Sequence, residues 1–192
     1  MNWEKLFRLF SKKEQAYEFA NVLHLWDEDY LMIELVPKEN LEFIKKEIIR
    51  TLIAGENNIQ PSGFKEATVI GSRPVQTADR NLLKEEVGKC FEQSGFARID
   101  QYIMEKVGLM KGDKIPLGFG TATLGVILEG STNVLNDIWI AGRTDGKQDE
   151  NRLIQGLLAF GKQYNFIGVN WFRGEYFNLA NLAEVENFAA HI

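Results

Sequence analysis

The chain has 192 residues, of which 45% are hydrophobic and 26% are charged, and its 22 basic and 27 acidic residues give a formal net charge of −5. This composition is typical of a folded globular protein and, with only 4 prolines and 17 glycines, excludes long disordered linkers. The acidic balance argues against nucleic acid as a partner, because binding to phosphates requires clustered Lys and Arg.

The length and the cysteine content predict one domain, residues 1–192, in the cytoplasm. The single Cys90 cannot form an internal disulfide, and a chain of this size buries enough surface to fold without one. No stretch reaches the roughly 18 to 20 apolar residues that a membrane span requires, so no membrane association is expected. The loop-like composition of residues 55–63, GENNIQPSG, marks the one candidate internal seam.

The first 71 residues predict three helices and two strands. Apolar residues in the first ten positions recur at helical spacing, and Ser11 with Glu14 forms a capping box for the next helix. Gly55 is expected just beyond the end of the third helix. In chain order the predicted elements are helices over 1–10, 12–25 and 40–54, and strands over 30–37 and 64–71.

The remaining residues predict a hairpin between helical segments. TATLGVILEG and NDIWIAG are two β-rich runs joined by a short connection, which indicates antiparallel pairing. Residues 96–109 fit both helical and strand spacing, and we favour a helix. The other predicted elements are helices over 79–94, 150–165 and 181–189 and a long strand over 166–177.

The irregular order of helices and strands predicts an α+β fold. The expected architecture is a mainly antiparallel sheet of four to six strands packed against several helices, because at least one hairpin is antiparallel and no regular alternation of strand and helix is present.

The aromatic stretch FIGVNWFRGEYF is the most distinctive in the chain. Strand alternation places Trp171, Arg173 and Glu175 on one face, and Phe172 and Tyr176 on a face that resembles core. Trp and Arg are enriched in binding hot spots, although the same pattern also fits ordinary surface cover. Trp139 in NDIWIAG is likewise opposite two isoleucines and so faces away from the main core. The predicted binding residues are Trp139, Trp171, Arg173 and Glu175.

Candidate catalytic and metal sites are weak in this sequence. It contains no GxSxG, HExxH or CxxC motif, so we assign no catalytic residue, no metal and no cofactor. His24 and the acidic residues 27–29 could together ligate a cation, but an acidic turn of this kind is usually solvated. Glu175 or Asp137 could do acid–base chemistry if a second carboxylate lies close by.

These observations favour a non-catalytic, cytoplasmic protein-binding module of bacterial type. Examples are an immunity protein that neutralises a toxin and an acidic chaperone for a secreted effector; the oligomeric state stays open. One alternative is an enzyme without a recognisable motif, a hydrolase or transferase that uses carboxylates. Another is a small-ligand sensor with a Trp-lined cavity.

Overall fold

A computed structural model describes residues 21–26, 30–60, 63–64, 69–104, 108–110, 115–130 and 133–192. For residues 56–60 and 63–64 it describes the backbone alone. Within these ranges the chain forms four α-helices, ten strands in two sheets and a further two-stranded hairpin, an α+β fold as predicted. The helix predicted over residues 1–10 and most of the next one lie outside the described residues.

The larger sheet has seven strands, and every neighbouring pair is antiparallel. In spatial order the strands are β12 (Glu175–Asn178), β11 (Phe166–Asn170), β2 (Ile33–Pro37), β10 (Asp137–Gly142), β9 (Leu124–Glu129), β8 (Leu117–Gly120) and β5 (Ala97–Arg98). The prediction of four to six strands was therefore too low. The sequence pattern missed β5, which has two residues, and β8, whose sequence LGFG is rich in glycine.

A second sheet contains three short strands. They are β1 (Val22–Leu25), β6 (Gln101–Met104) and β7 (Gly108–Leu109), with β1 parallel and β7 antiparallel to β6. A two-stranded hairpin of β3 (Ile59–Gln60) and β4 (Gly63–Phe64) follows the first described helix.

The four helices are α1 (Leu41–Asn58), α2 (Lys84–Gln93), α3 (Lys147–Tyr164) and α4 (Leu182–Ala189). Asn181 caps α4 as predicted, because its Oδ1 accepts a hydrogen bond of 3.1 Å from Ala183 N. In the part of the chain that the structure describes, no helix is long and apolar enough to cross a membrane.

One face of the large sheet packs against α2, α3 and α4. Alternate residues of its strands, such as Phe119 and Phe166, meet Phe91 of α2 and Phe160 of α3 in this layer. The rings of Phe160 and Phe166 lie 4.9 Å apart, and Phe177 of β12 stacks on Phe188 of α4 at 4.0 Å. These contacts make up the largest apolar core.

The opposite face of the sheet carries two smaller apolar clusters with different covers. The cluster below α1 contains Val36, Ile44, Ile48, Ile167 and Val169. The cluster below the three-stranded sheet contains Leu23, Leu25, Ile99, Tyr102, Ile127, Trp139 and Ala141. Glu34 of β2 projects from the same face, opposite Trp139 on β10, and is only 4% exposed.

The described parts of two predicted helices proved to contain strands. Val22–Leu25, predicted as the end of a helix, pairs with β6, and its buried residues alternate as expected for a strand. Within residues 96–109 the described part of the chain forms β5, β6 and β7 instead of a helix. The chain leaves the large sheet after Arg98 and enters the small sheet at Gln101, so Phe96, Ile99 and Tyr102 are buried at a spacing of three that imitates a helix.

The predicted strand over 166–177 is interrupted. Residues 171–174 form a turn, and Gly174 adopts a φ of 63°, which a residue with a side chain rarely does. Gly55, predicted beyond the end of a helix, lies inside α1. Val69 and Ile70, predicted to form part of a strand, are in no regular element.

The glycines of α3 allow close packing of neighbouring segments. A Cβ atom built on Gly161 would lie 2.5 Å from the carbonyl carbon of Leu179, and that backbone cannot move without displacing α4. Gly55 of α1, in contrast, has no neighbouring atom within 4 Å of such a Cβ.

Gly161→Ala is therefore expected to lower the free energy of unfolding by roughly 1–3 kcal/mol, because the overpacking exceeds the gain in helix propensity. Gly55→Ala is the matched control and should raise stability by up to about 1 kcal/mol. Urea denaturation measures both changes. Equal effects of the two substitutions would contradict the packing explanation.

Candidate functional site

The hairpin of β11 and β12 carries three of the four predicted binding residues, Trp171, Arg173 and Glu175. Its turn is closed by Asn170, whose Oδ1 accepts a hydrogen bond of 3.1 Å from Arg173 N. Arg173 Nε lies 3.2 Å from Glu175 Oε2, so the pair predicted from the sequence is an ion pair. Both side chains are partly exposed, and a surface pair of this kind contributes at most about 1 kcal/mol.

Exposed apolar residues surround the tip of this hairpin. Phe172 is 83% exposed, and on the neighbouring helix α1 Ile49 is 59% and Leu52 is 52% exposed. Leu52 contacts the turn, since its side chain lies 3.1 Å from the position of a Cβ on Gly174. We call Ile49, Leu52, Phe172 and Tyr176 the hairpin patch.

The hairpin patch was not predicted from the sequence. Phe172 and Tyr176 were expected on a core face, whereas both are exposed, as is Ile49 of α1. The turn at 171–174 shifts the alternation, so Tyr176 and not Glu175 faces α1. The sequence of α1 does contain a signal for the hairpin patch. Ile49, Leu52 and Ile53 make the apolar face of this helix wider than the stripe of Ile44 and Ile48 that packs against the core.

A small polar cleft of about 150 Å³ lies on the other side of β12, between the hairpin and α4. We call it the hairpin cleft. It is lined by Asn170, Arg173, Glu175, Tyr176, Phe177, Glu184, Asn187, Phe188 and His191.

The side chains of the two predicted tryptophans point away from the cleft, on the face of the sheet that carries Glu34. Trp171 Nε1 donates a hydrogen bond of 2.5 Å to Glu34 Oε2, and the same oxygen accepts from Arg73 Nη2. Trp139 is 3% exposed and donates to Glu129 Oε1 at 3.2 Å. The two tryptophans therefore share a face of the sheet, but Trp139 is packed inside a core and offers almost no surface to a partner.

Glu129 lies in an unusual electrostatic environment. Its carboxyl is half buried, is directly opposite Asp137 on the neighbouring strand, and accepts a hydrogen bond of 3.4 Å from Tyr30 Oη. Burial raises the pKa of Glu129 above its ordinary value of 4.5, and the nearby Asp137 adds to the effect. Burial, followed by the charge of Glu129, also raises the pKa of Tyr30.

Other candidate chemistry receives little geometric support. His24 is exposed on β1, and the acidic residues 27–29 lie outside the described residues. Within the described residues, no group of three His, Cys, Asp or Glu side chains could hold a metal ion. Cys90 is buried, and burial raises the pKa of its thiol, which disfavours the nucleophilic thiolate.

A larger cleft of about 420 Å³ lies at the far end of the sheet and contains both signs of charge. Lys84, Glu85, Arg98 and Asp100 contribute to its lining. Its acids and bases balance, so it shows no preference for a charged ligand.

Comparison of the chain with family models, with curated proteins and with solved structures found no match. Function is therefore inferred from the geometry of the hairpin patch and the hairpin cleft.

The environment of Glu129 predicts a pH-dependent stability difference. At neutral pH Glu129→Gln should be more stable than the parent, because the amide brings no charge into the half-buried position while its oxygen still accepts from Trp139. The folded pKa of the parent carboxyl lies above its unfolded value, so the parent loses stability as pH rises through the folded pKa.

Below the unfolded value of 4.5 the carboxyl is neutral in both states, and the difference between variant and parent should disappear. Urea denaturation from about pH 4 to about pH 8 measures this difference. A constant difference over that range would show that Glu129 is not penalised by burial.

Proposed function

We propose that the chain is a non-catalytic protein-binding module that acts in the bacterial cytoplasm, as an immunity protein that neutralises a toxin or as an acidic chaperone for a secreted effector. The observation that carries the proposal is the hairpin patch. Phe172, Leu52 and Ile49 are all more than half exposed and lie on two adjoining elements. Burying a side chain of this size contributes about 1.5–3 kcal/mol, so a partner that covers the patch gains substantial affinity.

The residue types at the hairpin also suit a protein interface. Aromatic residues and Arg are over-represented among residues that dominate binding energy, and Phe172, Arg173 and Tyr176 follow one another closely along the hairpin. Phe172 is held by a closed turn, so little conformational entropy is lost when a partner covers it.

The partner would contact side chains and would not add a strand to the sheet. β12 is an edge strand, but Asn178 N donates to Glu184 Oε2 at 2.7 Å and Asn178 O accepts from Asn181 N at 3.0 Å. Because outward main-chain groups alternate along a strand, Tyr176 alone keeps an open pair within the described β12. A single residue does not support strand addition.

Charge favours a separate basic protein as the occupant of the patch. A second copy of this chain would bring a net charge of −5 against the same charge, which opposes self-association. The negative charge of the chain attracts a basic partner and raises the rate at which the two proteins associate.

One observation favours an enzyme as the second candidate. Glu129 and Asp137 are opposed carboxylates, and the raised pKa of Glu129 fits a general acid. Turnover lost in both Glu129→Gln and Asp137→Asn would support it, but Trp139 and Tyr30 already occupy the Glu129 oxygens.

Phe172→Ala tests the protein-binding proposal. A partner captured from cell extract is purified, and its affinity is measured for the parent and for the variant. Phe172→Ala is expected to weaken binding by about 30-fold, as for a residue worth about 2 kcal/mol at the centre of an interface. The control is Leu182→Ala on α4, which removes a side chain that is also half exposed but lies outside the patch; affinity should change by less than about twofold.

Two outcomes would contradict the proposal. One is a purified partner that binds parent and Phe172→Ala equally. The other is a concentration-dependent dimer that Phe172→Ala abolishes, because it would assign the patch to a second copy. Thermal unfolding of both variants should match the parent, since Phe172 and Leu182 make few buried contacts.

A further inference from the structure

The hairpin cleft presents one side of α4 to the hairpin. Glu184, Asn187 and Phe188 lie at the i, i+3 and i+4 positions of α4, and His191 lies in the turn that follows the helix. Glu175 faces these residues from β12. The cleft is therefore a groove between a helix and an edge strand, directly beside the hairpin patch.

The charges that line the cleft do not cancel. Arg173 is already paired with Glu175. Glu184 accepts hydrogen bonds of 2.7 Å from Asn178 N and from Asn181 Nδ2, and both donors are neutral. The lining thus carries one excess negative charge when His191 is neutral.

Open hydrogen-bond acceptors remain in the cleft. His191 Nδ1 lies 2.6 Å from Asn187 O, and a carbonyl only accepts, so Nδ1 carries the hydrogen and Nε2 of the neutral ring is an acceptor. Glu175 Oε1 has no partner among the described residues, because Arg173 bonds the other oxygen. A ligand that offers several donors and a positive charge would satisfy both groups.

Aromatic rings complete the lining. The stacked pair of Phe177 and Phe188 borders the polar groups. Such surfaces pack against the aliphatic stem of Lys or Arg and attract its cationic head.

One further donor lines the cleft and suits a ligand that carries a carbonyl. Asn170 Oδ1 accepts from Arg173 N, whereas Asn170 Nδ2 has no hydrogen-bond partner within the described ranges. A main-chain carbonyl that accompanies the basic side chain would satisfy this amide. A free metal ion or a simple polyamine has no such acceptor.

We propose that the hairpin cleft binds a Lys or Arg side chain of the partner protein and so determines which partner docks on the hairpin patch. This inference rests on the proposed function. The cleft volume of about 150 Å³ suits one side chain and is below the roughly 300–1,000 Å³ of small-molecule sites. The patch supplies affinity through apolar burial, and the cleft supplies selectivity for a basic residue.

Nuclear magnetic resonance tests this proposal without the partner. The full chain is titrated with N-acetyl-arginine amide and N-acetyl-lysine amide, and the backbone amide shifts of Arg173, Glu175 and His191 are followed. We expect saturable shifts at these positions. The neutral isostere N-acetyl-citrulline amide and the anionic N-acetyl-aspartate amide should produce none.

Two variants of equal charge change separate the cleft from the general field of the protein. Glu175→Gln should weaken binding of the arginine compound about fivefold, the effect of losing one ion pair of about 1 kcal/mol. Glu186→Gln removes a charge from an exposed position of α4 outside the cleft and should change affinity by less than about twofold.

Absence of saturable shifts with both basic compounds would overturn the proposal, as would equal shifts with the aspartate compound. Failure of the proposed function looks different, because Phe172→Ala would then leave partner affinity unchanged whatever the basic compounds do. If Phe172→Ala weakens partner binding while Glu175→Gln does not, the patch is supported and the cleft proposal is wrong.

Discussion

The carboxylate of Glu34 is the constraint on which the hairpin side of the structure depends. It projects from β2 near the middle of the large sheet, is almost completely buried, and receives hydrogen bonds from Arg73 and Trp171 on one oxygen. A buried carboxylate is tolerated only when such partners are present, and removing one partner of a buried ion pair typically costs about 3–5 kcal/mol. Trp171 begins the turn of the hairpin, so the same bonds that satisfy Glu34 also fix where the hairpin tip lies relative to α1.

Segments with a local signal could be predicted from the sequence. The β9–β10 hairpin, α3 and the capped start of α4 each have a complete apolar period or a capping residue within a few positions. Segments whose structure depends on pairing with a distant part of the chain could not be predicted in this way. β1 follows a helical spacing of apolar residues and yet forms a strand because β6 lies beside it. The segment 96–109 passes from the large sheet to the small one, and the spacing of its apolar residues gives no sign of this change of sheet.

The candidate site likewise combines features that the local sequence predicts with features that only the folded chain determines. Arg173 and Glu175 are close in sequence, and their pairing could be predicted without the fold. Strand alternation correctly placed Trp139 away from the main core, but it could not show that β1 and β6 cover that face. Phe172 was assigned to the core because a single strand was assumed, and one turn of four residues is enough to move it into solvent.

The closure of β12 by α4 has a consequence for behaviour at high concentration. A protein that displays exposed phenylalanine, leucine and isoleucine beside an open sheet edge risks growing into aggregates by strand pairing. Here Glu184 and Asn181 occupy the outward groups of Asn178, and the opposite edge, β5, has two residues. The sheet can therefore carry an adhesive apolar surface at its edge while remaining resistant to polymerisation.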